Sequence, residues 1–111
     1  MIIGVPKEIK NHEYRVGLTP KSVELLIKSN HTVIVENQAG IGSGFTNDNY
    51  LSAGAKIEET AIKIFNDSDL IIKVKEPQIE EISLIKKDQI IFTYLHLASS
   101  EILTKQLINS K

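Results

Sequence analysis

The sequence predicts an α/β fold, in which a doubly wound, mostly parallel sheet of about five strands carries helices on both faces. Short runs rich in β-branched residues alternate along the chain with segments whose apolar residues recur at helical spacing. The first three segments make a β-α-β unit, which implies parallel strands and a right-handed crossover. No repeat, low-complexity run or linker interrupts the pattern, so one domain is expected over residues 1–111.

The first three elements have the clearest signals. Residues 1–5 are a short apolar run ended by Pro6, which predicts a buried strand. Thr19 is suited to cap a helix over residues 20–28, because its hydroxyl can accept a backbone N–H of the first turn. Residues 31–36 are nearly all β-branched and predict the second strand.

The later elements have weaker signals. In chain order we expect a short helix capped by Asn47 or Asp48, an edge strand at 55–57, a helix at 58–65, a strand at 69–74, a helix at 78–85, a strand at 89–95 and a helix from Ser99 or Ser100. In the 58–65 helix we expect Ala61, Ile62 and Phe65 to face inward. The apolar residues of the 78–85 helix are Ile79, Ile82 and Ile85. Such alternation is typical of flavodoxin-like and Rossmann-like sheets.

Composition excludes several classes of function. The net charge is −1, so we expect no general attraction to nucleic acid or to an anionic membrane surface. The chain has no cysteine, which excludes disulfides, thiolate nucleophiles and thiolate metal sites. No stretch approaches the roughly 20 apolar residues of a membrane span, and the N-terminus does not resemble a signal peptide. A cytoplasmic location is therefore expected.

Three basic residues follow predicted strands. Arg15 lies in the loop after the first strand, Lys75 after the fourth and His96 after the fifth. Because the carboxyl ends of parallel strands lie at one edge of a sheet, we expect these side chains to converge. Arginine offers a planar fork for a carboxylate, lysine a compact charge for a carboxylate or carbonyl, and histidine a proton near neutral pH. The set indicates a site for a small 2-oxo or 2-amino acid.

Each of these residues also has a structural interpretation. Arg15 could be a solvated loop charge or the partner of Glu8 or Glu13. Lys75 could be the charged end of a strand, and His96 could be a hydrogen-bonded core histidine. Taken singly, the structural interpretation is favoured for each residue, and only their convergence at one edge favours a site.

The glycine-rich segment 40–44 does not predict a dinucleotide site. Its spacing is GxGxG rather than GxGxxG, and neither a long helix nor an acidic strand end at the proper distance follows it. We therefore expect a turn that needs positive φ, and no cofactor-binding residues. His12 and His31 have no ligand partners at metal spacing, so no metal site is expected.

Four motifs in order along the chain resemble a known family. They are GVPKEIKNHEYRVGLTP, QAGIGSGF, LIIKVKEP and IIFTYLHLA, and together they are similar to the N-terminal part of bacterial alanine dehydrogenase over the entire chain. The related N-terminal domain of the proton-translocating transhydrogenase α subunit usually lacks a lysine at the position of Lys75 and a histidine at that of His96. This pair therefore points to the alanine dehydrogenase branch.

The resemblance implies a role for each candidate residue. Arg15 and Lys75 would hold the carboxylate and carbonyl end of pyruvate or L-alanine, and His96 would act as the general acid and base. Glu8 would orient Arg15 or Lys75. The implied reaction is the reversible conversion of L-alanine, NAD and water to pyruvate, ammonia and NADH.

The resemblance also implies that more is needed for activity. Members of the family continue into a Rossmann domain that binds NAD, so residues 1–111 are expected to be a partial substrate domain that binds no NAD and is inactive alone. The expected partner is a separately encoded NAD domain or a second copy of the chain, since apolar surface covered elsewhere in the family would be exposed. The alternatives are a free-standing domain for a small carboxylate or a protein partner, and a transhydrogenase α-subunit fragment.

Overall fold

The computed structural model describes residues 1–10 and 12–93. In this part of the chain the strands of the sheet are β1 (Ile2–Val5), β2 (Thr32–Glu36), β3 (Lys56–Glu58), β4 (Leu70–Lys73) and β5 (Ile90–Thr93). Their order across the sheet is β3-β2-β1-β4-β5, and each neighbouring pair is parallel. The predicted doubly wound sheet of about five strands is thus confirmed, and its order is that of Rossmann-type sheets.

Helices cover both faces of the sheet. They are α1 (Pro20–Lys28), α2 (Asn47–Ser52), α3 (Ala61–Asp67) and the single turn α4 (Ile79–Ile82), with a 3-10 turn at Ile41–Ser43. On one face, Val23 of α1 and Tyr50 of α2 pack in one core with Val5 of β1. On the other face, Phe65 of α3 packs in a second core with Ile71 of β4. None of the described helices is both long and apolar enough to cross a membrane.

Threonine side chains cap α1 and α2. Thr19 caps α1 as predicted. The cap of α2 is Thr46 rather than the predicted Asn47 or Asp48. Thr46 Oγ1 accepts the Asn49 N–H at 3.2 Å, and the Asn49 side-chain oxygen accepts the Thr46 N–H at 2.8 Å. This reciprocal pair starts the helix immediately after Thr46 and leaves both predicted caps inside it.

Helix α3 begins later than the predicted start at residue 58, because the side chain of Thr60 caps it. Glu58 instead ends strand β3. The prediction that Ile62 faces inward is wrong: this side chain is 66% exposed. Ile64 takes the inward position and is fully buried, together with Phe65 as predicted.

Helix α4 is a single turn and not the helix predicted over residues 78–85. Ile79, one of the apolar residues of the predicted helix, is 86% exposed, and the buried side chain of this turn is Glu81. The turn takes this orientation because the Glu81 carboxylate lies beside a buried lysine of β4. Ile82 and Ile85 are partly buried against the second core.

Strand β5 lies at one edge of the sheet. The predicted strand over residues 89–95 is described as Ile90–Thr93, and residues 94–111, including the helix predicted from Ser99 or Ser100, lie outside the described residues. Ile90 and Phe92 are 48% and 52% exposed. They provide apolar surface of the kind expected for self-association, which stays a prediction.

Gln89 joins the start of β5 to the end of α3. Its side chain is buried, and its amide nitrogen donates to the carbonyl oxygens of Phe65 at 2.7 Å and Ser68 at 2.8 Å. Its amide oxygen accepts the Lys86 N–H at 3.1 Å. One side chain therefore satisfies three backbone groups at a junction between elements, two of them in buried hydrogen bonds.

We expect Gln89→Leu to lower the free energy of unfolding by about 2–3 kcal/mol, because two carbonyl oxygens at a buried junction lose their donor. Urea denaturation followed by circular dichroism measures the change. Lys87→Leu alters an exposed residue of the same connection and should leave the stability nearly unchanged. Equal stabilities of the two variants would contradict the importance of the Gln89 contacts.

Candidate functional site

The predicted convergence of Arg15 and Lys75 is found at the carboxyl edge of the sheet. Arg15 lies in the loop after β1, and Lys75 lies just beyond β4, the neighbour of β1 in the sheet. The chain leaves these two strands toward opposite faces, since α1 follows β1 on one face and α4 follows β4 on the other. Open α/β sheets bind ligands in the crevice that forms at such a point.

Glu13 links the two cations. Its carboxylate accepts two side-chain hydrogen bonds from Arg15, from Nε to Oε2 and from Nη2 to Oε1, each at 3.0 Å. Lys75 Nζ lies 3.5 Å from the same Oε1. The ion pair between Arg15 and Glu13, which the sequence left open as a structural alternative, is therefore present and is shared with Lys75.

We call Glu13, Arg15 and Lys75 the cation cluster. The Glu13 side chain is 4% exposed, whereas those of Arg15 and Lys75 are 65% and 24% exposed. The hydrogen bond from Arg15 lowers the pKa of Glu13 to about 2, so this carboxylate is ionised at neutral pH. One anion and two cations leave the cluster with a net charge of +1 on its solvent side.

Glu8 contacts the backbone of Lys75 rather than its ammonium group. Glu8 Oε1 accepts the Lys75 N–H at 3.2 Å, and Oε2 accepts the Val74 N–H at 3.0 Å. The carboxylate also accepts a hydrogen bond from Lys73 Nζ at 3.1 Å. These contacts place Glu8 where it can direct the chain that carries Lys75, and its role in orienting a site residue stays a prediction.

Lys73 and Glu81 complete a buried network that the sequence analysis missed. Lys73 is fully buried at the end of β4, and its Nζ lies 3.2 Å from Glu81 Oε2 as well as beside Glu8. Glu81 Oε1 accepts the Gln78 N–H at 2.9 Å. Burial raises the pKa of Glu81 in spite of the nearby ammonium group. The available signal was a lysine in an otherwise apolar strand.

The loop that carries Glu13 and Arg15 is held along its length by other elements. Among the described residues of the loop, the Lys7 N–H donates to Glu36 at 2.9 Å, the Tyr14 carbonyl accepts from Ser43 at 2.9 Å, and the Leu18 carbonyl accepts from Tyr50 at 2.7 Å. Burial raises the pKa of Tyr50 to about 12, so its hydroxyl stays a donor. These hydrogen bonds hold the described parts of the loop on either side of residue 11.

Two clefts border this loop. One of about 400 Å³ is lined by Glu13, Arg15 and Gln38, among others, and a second of about 300 Å³ is lined by Arg15 and Val74, among others. Arg15 thus faces both clefts, whereas Lys75 lines neither and joins the cluster through Glu13. The larger cleft has ample room for a three-carbon acid.

The glycine-rich segment does not form a cradle for a dinucleotide. Gly44 has a φ of +86°, so the expected turn is present there. A Cβ on Gly42 would lie 2.8 Å from the Tyr14 carbonyl oxygen, and one on Gly40 would lie 2.7 Å from the Tyr50 ring. Protein atoms therefore fill the space that a pyrophosphate would need at Gly40 and Gly42.

The histidines add little to the described site. His96 lies outside the described residues, so its predicted convergence with Arg15 and Lys75 stays a prediction. His12 borders the larger cleft. Over residues 1–10 and 12–93, no group of three histidine or acidic side chains is placed to hold a metal ion.

Comparison with known proteins identifies the family. The family model described as "Alanine dehydrogenase/PNT, N-terminal domain" matches residues 4–111. The chain belongs to this family. Alanine dehydrogenases of Halomonas elongata and Methanococcus maripaludis are 52% and 51% identical to it, over 99% and 100% of this chain. The chain spans only 30% of the length of each of these relatives.

Solved structures of the family share this fold. An L-alanine dehydrogenase matches 99% of this chain with a TM-score of 0.94 and 51% identity, over 30% of its own length. A transhydrogenase from Sinorhizobium meliloti matches 99% with a TM-score of 0.92 and 26% identity, over 31% of its length. The family recognised from the four sequence motifs is therefore confirmed, and the identities are higher on the alanine dehydrogenase side.

We expect the Glu13 carboxyl group to titrate near pH 2, because the Arg15 guanidinium stabilises its ionised form. This pKa is below the ordinary 4.5, so Glu13 adds stability above about pH 4.5 that is lost as the pH falls toward 2. NMR of the side-chain carboxyl carbon measures the midpoint. Arg15→Ala should raise it, and Lys28→Ala, which breaks a remote exposed ion pair, should not. A midpoint near 4.5 in the unsubstituted chain would contradict the ion pair.

We expect Lys73→Met to lower the free energy of unfolding by about 3 kcal/mol at pH 7, because two buried carboxylates lose their cation. The loss should be smaller at a second, lower pH, since burial raises the pKa of Glu81 and its protonation removes one of the two unpaired charges. Urea denaturation at both pH values measures this. Lys63→Met, which breaks an exposed ion pair with Asp67, is the matched control and should change stability little.

Proposed function

We propose that this chain binds the carboxylate of a small 2-oxo or 2-amino acid, pyruvate or L-alanine, as the substrate-binding part of an alanine dehydrogenase. The observation that carries the proposal is the cation cluster at the crevice between β1 and β4, where Arg15 and Lys75 share one oxygen of Glu13. A net charge of +1 matches a ligand with one carboxylate. Membership of the alanine dehydrogenase/PNT N-terminal family supports the same conclusion.

The geometry of Arg15 suits this role. A guanidinium group has five N–H donors, and Glu13 occupies two of them along the edge formed by Nε and Nη2. The side chain is 65% exposed and borders both clefts, so its remaining donors can meet a ligand carboxylate in the bidentate manner typical of arginine. Lys75 lines neither cleft and adds its positive charge to the cluster through Glu13.

His96 is proposed as the general acid and base for the amino or oxo carbon of the substrate. It follows β5 in sequence, and β5 is the parallel neighbour of β4. Residues that leave neighbouring parallel strands emerge at one edge of the sheet, which is the edge that carries Lys75. A neutral imidazole can accept the proton that the amino acid loses and return it in the reverse direction.

We further propose that these 111 residues bind the substrate but do not oxidise it alone. The family resemblance implies NAD as the hydride acceptor, and protein atoms fill the space that its pyrophosphate would need at Gly40 and Gly42. Catalysis would then depend on a nicotinamide-binding domain. The chain's own contribution is to hold the carboxylate in a fixed place beside a proton-transferring histidine.

We expect pyruvate to bind the isolated chain with a dissociation constant on the order of millimolar, because two cations hold a three-carbon acid. NMR titration should shift the backbone amides of Arg15 and Lys75. Arg15→Ala should weaken binding at least about tenfold, whereas Lys56→Ala, on the remote edge strand β3, should not.

The same titrations can also contradict the proposal. A folded chain that shows no shifts at tens of millimolar pyruvate, or an Arg15→Ala variant that binds as well as the unsubstituted chain, would overturn the proposed function. A change of similar size in Lys56→Ala would mean that pyruvate interacts only with the general surface charge.

A further inference from the structure

The geometry points to Glu13 as the residue that makes this site select ligands with one carboxylate over ligands with two. This inference rests on the proposed function and adds a specificity-determining residue to it. Glu13 does not itself bind the ligand. It acts by cancelling one of the two positive charges that would otherwise meet the ligand.

The contacts that carry the inference are those of the Glu13 carboxylate. Both oxygens face the cations, since Oε2 accepts the Nε hydrogen of Arg15 and Oε1 lies between Arg15 Nη2 and Lys75 Nζ. The side chain is 4% exposed, because Arg15 and its other neighbours cover it close to the molecular surface. Its ionised form is held by Arg15, which keeps it negative at any pH near neutrality.

Two other lysines near the cluster are already paired with carboxylates. Lys10 is paired with Glu76 at 2.8 Å, and Lys73 lies beside both Glu8 and Glu81, so the buried network holds two carboxylates for one ammonium group and adds no positive charge. Lys7 lines the larger cleft, but it is exposed and therefore screened by water. The cation cluster thus has one unbalanced positive charge for a ligand.

A first carboxylate neutralises that charge when it binds. A second carboxylate on the same small ligand then finds no remaining positive charge in the cluster and lies near the buried anion of Glu13. The second carboxylate therefore loses water without gaining a positive partner, and the Glu13 carboxylate repels it at short range. An uncharged group in the same position, such as a methyl or an amide, has no such penalty. The site therefore gives no advantage to a dianion.

Oxamate and oxalate test this directly, because they have nearly the same size and differ by an amide in place of one carboxylate. Dissociation constants for both are measured by NMR titration of the unsubstituted chain, Glu13→Gln and Glu13→Asp at one ionic strength. Glu13→Gln should shift the ratio of the two affinities toward oxalate by roughly tenfold, since it leaves two positive charges for the ligand. Glu13→Asp keeps the charge and should keep the ratio, even if both affinities change.

Two further variants make the test decisive. Glu24→Gln makes the same chemical and charge change at an exposed helix position paired with Lys28, and should leave the ratio unchanged. Glu13→Ala has the same charge effect as Glu13→Gln and carries the test alone if the glutamine variant does not fold. If Glu13 had only a structural role, its replacement would weaken the binding of oxamate and oxalate equally, and the ratio of their two dissociation constants would not change.

The outcomes separate this inference from the proposed function. If the unsubstituted chain binds neither probe, both are overturned. If it binds them and the ratio stays the same in Glu13→Gln and Glu13→Ala, or moves equally in Glu24→Gln, only the inference about Glu13 is overturned. A shift toward oxalate confined to the two neutral Glu13 variants supports it.

Discussion

The buried ammonium group of Lys73 is the interaction on which the rest of the site depends. It connects three distant parts of the chain, namely β4, the loop after β1 through Glu8, and the turn α4 through Glu81. A charge without access to water is tolerated only with opposite charges beside it, so a strand that ends in a buried lysine requires both carboxylates in place. This requirement fixes the start of the loop after β1 and the orientation of α4 on the sheet.

The site consists of two layers of charge with different surroundings. The lower layer is buried, and there Glu8 uses its remaining acceptor capacity for the N–H groups of Val74 and Lys75, which sets the direction of the chain beyond β4. The upper layer is the cation cluster, which borders the clefts and carries a net positive charge. Because the buried layer supports it, the upper layer holds Arg15 and Lys75 near each other, and such preorganisation would lower the entropic cost of the proposed carboxylate binding.

Most of the fold could be predicted, because the strands are runs of β-branched residues and the alternation of elements leaves few arrangements open. The errors occur where a tertiary contact outweighs local spacing. Ile79 matches a helical apolar pattern, yet Glu81 takes the inward position because its carboxylate lies beside Lys73. Nothing in the sequence of residues 78–85 indicates that a buried lysine of another element packs against them.

The placement of Arg15 and Lys75 could be predicted because the carboxyl ends of parallel strands lie at one edge of the sheet. The bridging position of Glu13 could not, since it depends on a loop path fixed by residues distant in sequence.

The structural and functional interpretations of Arg15 turn out to be compatible. The sequence offered an ion pair with an acidic neighbour as the alternative to ligand binding, and the ion pair with Glu13 is present. That pair occupies only one edge of the guanidinium group, and it places the same carboxylate beside Lys75. Without Glu13 the two neighbouring cations would repel each other, and with it they form one unit with a single surplus charge. An intramolecular ion pair at the edge of a parallel sheet is therefore no argument against a binding site, because it can be the means by which the charge of the site is set.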